Sequence, residues 1–350
     1  MFDRLPLRRF IFDSLFFAYT LTLIIYGIML VYSPELTSQE NAVLFFREIF
    51  WSFLALTTMM CVFTTMLNRF RISTLGEILF AAHQRRTEIS RIAFWKSFWG
   101  IHLTLTFTMT FLVSLRMTEL SIRELTDPDG FAGAMRLYQG LTHANLALLP
   151  TAVVQVIETI FIAFLATAIS VIPAFVLSFL SARNVMTHPF AVIIYGIMRT
   201  FLNVTRSVEP LIWALILTVW VGVGPFAGML ALMVHSVTSL AKQFSEIIED
   251  AAVGPVEAIR STGAGKIQVI WFGLVPQILM PFISFVIYRW DTNVRMATVI
   301  GLVGGGGIGT LLIRYQGQAM WPEVGTIILV IAAAVWLMDL ASAYIREALR

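Results

Sequence analysis

The chain is short of charge and of every side chain that usually builds a metal or redox centre. Only 13% of its 350 residues are Asp, Glu, Lys or Arg, about half the share of an ordinary soluble chain. Its one cysteine, Cys61, lies inside an apolar run, which excludes a disulfide framework and a cysteine-based metal site. Its five histidines are scattered, so no clustered acid–base or metal site is evident. What fills the space is apolar: 58% of residues are hydrophobic and the mean hydropathy is +0.82. So little polar surface cannot wrap a globule of this size in water, and the composition is that of an integral membrane protein. The net charge of +3 sits at the ends of apolar runs and forms no basic stripe, which argues against a nucleic-acid partner.

A bilayer core about 30 Å thick takes roughly 20 apolar residues per helix. Eight stretches approach this, at about 12 to 32, 43 to 66, 98 to 115, 153 to 182, 190 to 222, 225 to 242, 267 to 288 and 323 to 345. The first follows Arg4, Arg8 and Arg9 but is too long for a signal-peptide core and lacks a small-residue cleavage site, so it reads as a retained anchor. If all eight cross, fifteen Lys and Arg fall on one side. Six fall on the other, at Arg116, Arg123, Arg136, Arg289, Arg295 and Arg314. Basic residues resist translocation, so both termini are expected inside a bacterial plasma (inner) membrane. The stretch 83 to 98 alternates Arg85, Arg86, Arg91 and Lys96 with Ile89, Ile92, Phe94 and Trp95, which suits a helix in the headgroup plane or a solvated connector. The run 190 to 222 is too long for one straight crossing and is expected to break at NVTRSVEP, where Pro210 removes a backbone donor.

Between the sixth and seventh stretches, residues 243–266 form a polar loop, and 256–277 read VEAIRSTGAGKIQVIWFGLVPQ. Pro255 suits the first turn of a short helix, Glu257 is expected in that same turn to offset its dipole, and Thr262-Gly263 and Ala264-Gly265 allow it to end. This run resembles the E-A-A loop of ABC-importer permeases, with Glu257, Ala258, Gly263 and Pro276 on the family's spacing. Ile259, Gly273 and Val275 depart from the usual residues without moving the frame. Further likeness to the permease subunit of phosphonate-type (PhnE-like) importers lies in RSVEP (206–210), GVGPFAGMLALMVHS (222–236), KQFSEIIED (242–250), GPVEAIRSTGA (254–264), Tyr288-Arg289 and DTNVRMATVIGLVGGGGIG (291–309).

The resemblance implies an all-α polytopic membrane helix bundle: a type I ABC-importer permease core at 153–345 with five spans. Residues 1–150 form an added N-terminal block of three spans. It further implies a docking knob at 243–266 for ABC ATPase subunits on the cytoplasmic side, an extracytoplasmic substrate-binding protein, and a second permease copy or paralogue in the bilayer. The substrate implied is phosphonate or a related phosphorus oxyanion. An amino-acid permease and an ion-driven secondary transporter are the alternatives; the latter expects midplane carboxylates and an internal repeat, and neither is evident. No catalytic residue and no cofactor is expected in this chain, ATP hydrolysis falling to a partner.

Two glycine runs imitate nucleotide motifs. Gly304, Gly306 and Gly309 satisfy G-x-G-x-x-G without the strand-to-helix context, and STGAGKIQ lacks the first glycine and the Ser or Thr of a phosphate loop. Six glycines between 301 and 309 make a helix costly there. The resemblance puts Gly301, Gly304 and Gly305 beside the translocation pathway; close helix packing through Gly301-xxx-Gly305 and Gly224-xxx-Gly228 is the equal alternative. Ionisable residues inside apolar runs are Glu158, Arg199, Arg206, Glu209, His235 and Asp339. Arg206 and Glu209 are spaced to pair and Ser207 to cap the restart after the break; Arg206, Ser207 and Glu209 are therefore candidates either for the path or for a structural kink. His235 reads as a satisfied buried histidine, and Glu158 and Asp339 as inter-helix hydrogen-bond partners.

Overall fold

The structure, a computed structural model, describes residues 5–32, 42–69, 74–80, 94–118, 121, 123, 126–186 and 188–348. All regular elements among them are helices, as lipid requires of backbone groups that find no partner in hydrocarbon. The first loop at 33–41 and most of the amphipathic stretch, 83–93, lie outside the described residues. Contacts divide the chain into Met1–Asp127 and Pro128–Arg350.

The first unit holds α1 (Leu5–Tyr32), α2 (Ala42–Arg69), α3 (Leu75–Phe80) and α4 (Phe98–Met117). Helix α1 packs against the other three, and scattered polar groups stitch them together. The buried Asp13 carboxylate accepts hydrogen bonds from Thr74 Oγ1 (2.6 Å) and the Gly76 amide (2.8 Å), so α1 satisfies a donor at the start of α3. On α4, His102 Nε2 lies 3.0 Å from Thr20 Oγ1 and its ring stacks on Phe17.

The second unit holds α5 (Pro128–Thr142), α6 (Leu149–Leu180), α7 (Pro189–Ser207), α8 (Pro210–Val221), α9 (Pro225–Asp250), α10 (Val253–Ser261), α11 (Lys266–Gly301), α12 (Ile308–Gly317) and α13 (Trp321–Ala348). It begins ahead of the boundary near 150 drawn from sequence, because α5 packs along α13. Helices α6 and α9 make the most extensive contact. Their facing residues are small, including Ala163, Ala166, Ser170, Ala227, Gly228, Ala231 and Ser236, so the backbones approach closely.

The core of this unit is two apolar clusters with a polar layer between them. One gathers Ile162, Ala166, Leu217, Leu232, Val294 and Ile300, and the other Leu202, Leu240, Phe244, Ile248, Ile278 and Phe282. Along the helices Thr167, His235, Ser236, Ser239, Arg289 and Asn293 fall between the clusters. Asn293 Nδ2 donates to Ser236 Oγ at 2.8 Å and Thr167 Oγ1 at 2.9 Å, tying α11 to α9 and α6.

The span pattern differs from eight simple crossings. Among the described residues six helices are long and apolar enough to cross, or seven if a bent pair counts as one. That pair is α7 and α8, which meet at 86°; the break falls inside NVTRSVEP as expected. The stretch 225 to 242 is α9, a helix with an extensively buried face that carries on to Asp250. Residues 243–250 therefore belong to a rigid helix and not to a loop. The seventh stretch does not stop near 288, since α11 continues to Gly301. Asp291 and Asn293 find polar partners inside the bundle, so they do not end the helix. Arg289 and Arg295 thus lie within a span and drop out of the external charge count.

Candidate functional site

Between α9 and α11 the chain makes a short exposed helix, α10, and a tight turn. Glu257 and Ala258 are exposed on α10, while Val256 packs against the cluster around Phe244. Glu257 is the fifth residue of the helix, one turn beyond the dipole position expected for it. Thr262 ends the helix, and Gly263 follows at φ +81°, a left-handed conformation that a side chain would strain.

Three features anchor this knob to α11. The Gln277 amide pairs with the backbone of Ala252, accepting from its N–H at 3.1 Å and donating to its carbonyl at 3.4 Å. Its Nε2 also donates to Gly273 O at 2.6 Å. Gly273 is buried where a Cβ would stand 3.3 Å from Val256 Cα, so the departure from the usual Ile permits close approach of α10. Ile270–Leu274 form a π-helical turn, with the Val275 N–H bonding back to Ile270 O. That widened turn precedes Pro276, which has no N–H to offer the helix ladder. An open cleft of about 620 Å³ separates α10 from the start of α11, lined in part by Asn184, Glu257, Arg260 and Lys266. Gln277 and Gly273 carried no assigned role in the sequence; only the fold pairs them with α10.

The end of α9 beside this knob is braced by charge. Arg199 Nη1 donates to Glu249 Oε1 at 2.8 Å, the Arg183 amide donates to the same oxygen at 2.8 Å, and Asn184 Nδ2 donates to Ile248 O at 2.6 Å. Arg199, singled out as an intramembrane charge, is therefore a structural ion pair.

At the break, Arg206, Ser207 and Glu209 are all exposed. No ion pair joins Arg206 to Glu209 among the described residues, and Ser207 does not cap α8: its hydroxyl donates back to Val204 O at 2.7 Å. Glu209 takes the N-cap position instead, without a side-chain bond. An 86° bend carries the chain away before either pairing can form.

The glycine segment after α11 folds back onto α9 and α6. The Gly224 amide donates to Gly304 O at 2.8 Å, and a Cβ on Gly228 would lie 2.2 Å from Gly305 O. The two small-residue pairs marked in the sequence thus pack on each other. Gly301, Gly305 and Gly309 are buried, and the Ile308 amide donates to Thr159 Oγ1 at 2.8 Å. Gly304 is half-buried beside Val223. Close packing describes this loop.

Asp339 is a polar partner as expected: Arg295 Nη1 reaches it at 2.5 Å while Nη2 holds Asp291 at 2.7 Å. Glu158 is half-buried with no hydrogen bond or ion pair among the described residues, so the partner expected for it is absent there. His235 is only partly satisfied: Nε2 lies 3.3 Å from Ser239 Oγ, and the buried Nδ1 has no hydrogen-bond partner.

A bundle of apolar helices with one short exposed helix between its long spans is the fold of a membrane permease of the ABC-importer type. In backbone it matches the membrane subunit in inward-facing structures of the MetNI methionine ABC transporter, with a TM-score of 0.50 at 22% identity over 59% of this chain and 97% of that one. Residues 174–350 match the model of the binding-protein-dependent transport system inner membrane component family, and the chain belongs to that family. It is 41% identical over 191 residues to the phosphite transport system permease protein PtxC of Stutzerimonas stutzeri, covering 55% of this chain and 68% of that protein. It is 35% identical over 193 residues to the phosphate-import permease protein PhnE of Mycolicibacterium smegmatis, covering 55% of this chain and 36% of that one.

Proposed function

We propose that this chain forms half of the translocation pathway of an ATP-driven importer for a phosphorus oxyanion such as phosphite, phosphonate or phosphate. Relatives named as phosphite and phosphate permeases support the substrate class. The observation that carries the coupling is α10 itself: a helix exposing Glu257 and Ala258, ended at Gly263, and fixed to a long span through Gln277 and the π turn ahead of Pro276. A separate ABC ATPase docks on this knob from the cytoplasm, and its closure moves α10 and α11 together. A second copy or a paralogue supplies the other half of the path, and a binding protein delivers substrate from outside. Both termini are cytoplasmic. The exposed break at Arg206, Ser207 and Glu209 lines the path, and the loop at Gly301, Gly304 and Gly305 shapes its far end.

The test is uptake in cells expressing the whole transporter. Ala258→Trp and Gly263→Val are expected to abolish phosphite uptake while leaving membrane insertion intact, because they disturb only an exposed docking face and its turn. If both variants transport at the wild-type rate, or if the solubilised complex contains no ATPase, the coupling reading fails.

A further inference from the structure

Arg289 on α11 is only 8% exposed, yet it meets no carboxylate and no hydrogen-bond acceptor among the described residues. Its Nε is buried without a partner. The other intramembrane cations of this unit are matched: Arg199 holds Glu249, and Arg295 holds Asp291 and Asp339. Arg289 has basic neighbours instead. It lies within electrostatic reach of His235 on α9, and Arg206 at the break reaches both. The His235 ring reaches the backbone of Val208, inside the break. Three basic side chains from three elements therefore lie within electrostatic reach of one another near the turn from α7 into α8, and the acidic group that reaches Arg289 is the Tyr288 phenol, not a carboxylate.

Such an arrangement is costly if left as it stands. A buried cation needs a counter-charge, and two neighbouring guanidinium groups repel each other. Glu249, Asp291 and Asp339 hold Arg199 and Arg295, and the unpaired Glu158 and Glu209 do not reach Arg289, so Arg289 is left to an anion that enters the bundle. Guanidinium presents a planar fork of N–H donors that matches two oxygens of a phosphate-like group. Pro210 opens α8 without an N–H and the Ile212 N–H already donates to Glu209 O at 2.9 Å, so side chains and not the helix end would hold the anion. The polar layer continues one turn along α11, where Asn293 bonds Ser236 beside His235.

We propose that Arg289, His235 and Arg206 form a binding site for a tetrahedral oxyanion within the membrane unit, with Arg289 the buried anchor and Arg206 the exposed point of entry. The identification of that anion as the transported substrate rests on the function proposed above; the site itself does not. One buried and one exposed cation give a hold firm enough to draw an anion in and weak enough to release it.

The experiment uses the full chain in lipid nanodiscs, with inorganic phosphate as the probe at constant ionic strength. Phosphate is expected to raise the Tm of the wild-type chain in a saturable way. Arg289→Gln should weaken the apparent affinity by about tenfold or more, the loss of a charge-assisted pair. Arg206→Gln and His235→Ala should each weaken it several-fold, while Arg314→Gln, at an exposed position on α12, leaves it unchanged. Where Arg289→Gln fails to insert, the Arg206 and His235 variants carry the test. The proposal is overturned if these variants keep the wild-type phosphate dependence, if chloride reproduces the shift, or if phosphate produces none because a carboxylate from a second copy already fills the site. Phosphite uptake separates the two readings. Uptake with an unchanged KM in Arg289→Gln removes the site and leaves the permease reading; phosphate binding through Arg289 in a transporter that imports no phosphorus oxyanion removes the substrate reading and leaves the site.

Discussion

Replacing Gln277 by Leu removes the clamp that holds the exposed loop helix to its span while keeping the side chain's bulk. Three contacts go: the Ala252 N–H at 3.1 Å, the Ala252 carbonyl at 3.4 Å and the Gly273 carbonyl at 2.6 Å. A neutral hydrogen bond contributes about 0.5–1.5 kcal/mol net, and the 3.4 Å contact is long enough to count for little. Ala252 is exposed, so water compensates part of the loss there. The sum is about 1–2 kcal/mol, which shifts a local opening equilibrium by a factor of about 5–30. Hydrogen exchange on the purified full chain reads this directly. Amides of residues 252–263 should exchange faster by that factor in Gln277→Leu, while amides in the middle of α9 remain as protected as in the wild type. Gln277→Glu keeps an acceptor for the Ala252 N–H but sets a carboxylate oxygen against the Ala252 and Gly273 carbonyls in place of the donor, so it should loosen the helix as well. If exchange across 252–263 is the same in Gln277→Leu and wild type, the clamp does not hold the helix and the reasoning is wrong.

Other substitutions test the packing. Gly228→Ala places a methyl 2.2 Å from the Gly305 carbonyl, and because the obstacle is backbone, α9 and the glycine loop must separate; a loss of about 1–3 kcal/mol or more is expected as a lowered Tm in detergent, and an unchanged Tm would contradict the close contact. Thr159→Val keeps the shape but strands the Ile308 N–H, which should cost about 1–3 kcal/mol in a denaturant titration. Arg295→Gln should destabilise far more than Asp339→Asn. The first leaves the Asp291 side chain, 5% exposed, without its cation, whereas Asp339 is 49% exposed. Breaking a fully buried pair costs about 3–5 kcal/mol and an exposed one about 0–1; with Arg295 itself 41% exposed the first loss falls between these ranges, and equal losses in the two variants would show that Asp291 has another partner. In the first unit, Asp13→Ala should loosen α3 from α1, seen as faster exchange at Gly76 and Glu77, since the carboxylate binds both Thr74 and the Gly76 amide.

Local chemistry made part of this fold legible. Pro210 within a run too long for one crossing marked the break, because proline removes a donor and restricts the residue before it. The spacing of Glu257, Gly263 and Pro276 marked the loop helix and its end. Other expectations failed for a common reason. The polar run at 289–293 looked like a helix end, yet α11 passes through it, because Asn293 is satisfied by Thr167 and Ser236 from two other helices. Arg206 and Glu209 looked like a pair, yet the bend separates them. A one-dimensional reading sees only neighbours in sequence, and in hydrocarbon the partner of a polar group is usually on another helix.

Composition alone determined the solvent, since too few charges exist to hold this chain in water. Periodicity, proline and glycine determined where helices break and where the exposed knob lies, because those are properties of the backbone over one or two turns. Tertiary structure decided the assignment of the buried charges. It gave Arg199 to Glu249 and Arg295 to Asp291 and Asp339, and it left Arg289 near His235 and Arg206 with no carboxylate in reach. Coulombic partnership depends on distance in space; Arg295 and Asp291 are one turn apart on α11, but the other partners are separated by tens of positions and become neighbours only when α7, α9, α11 and α13 pack together.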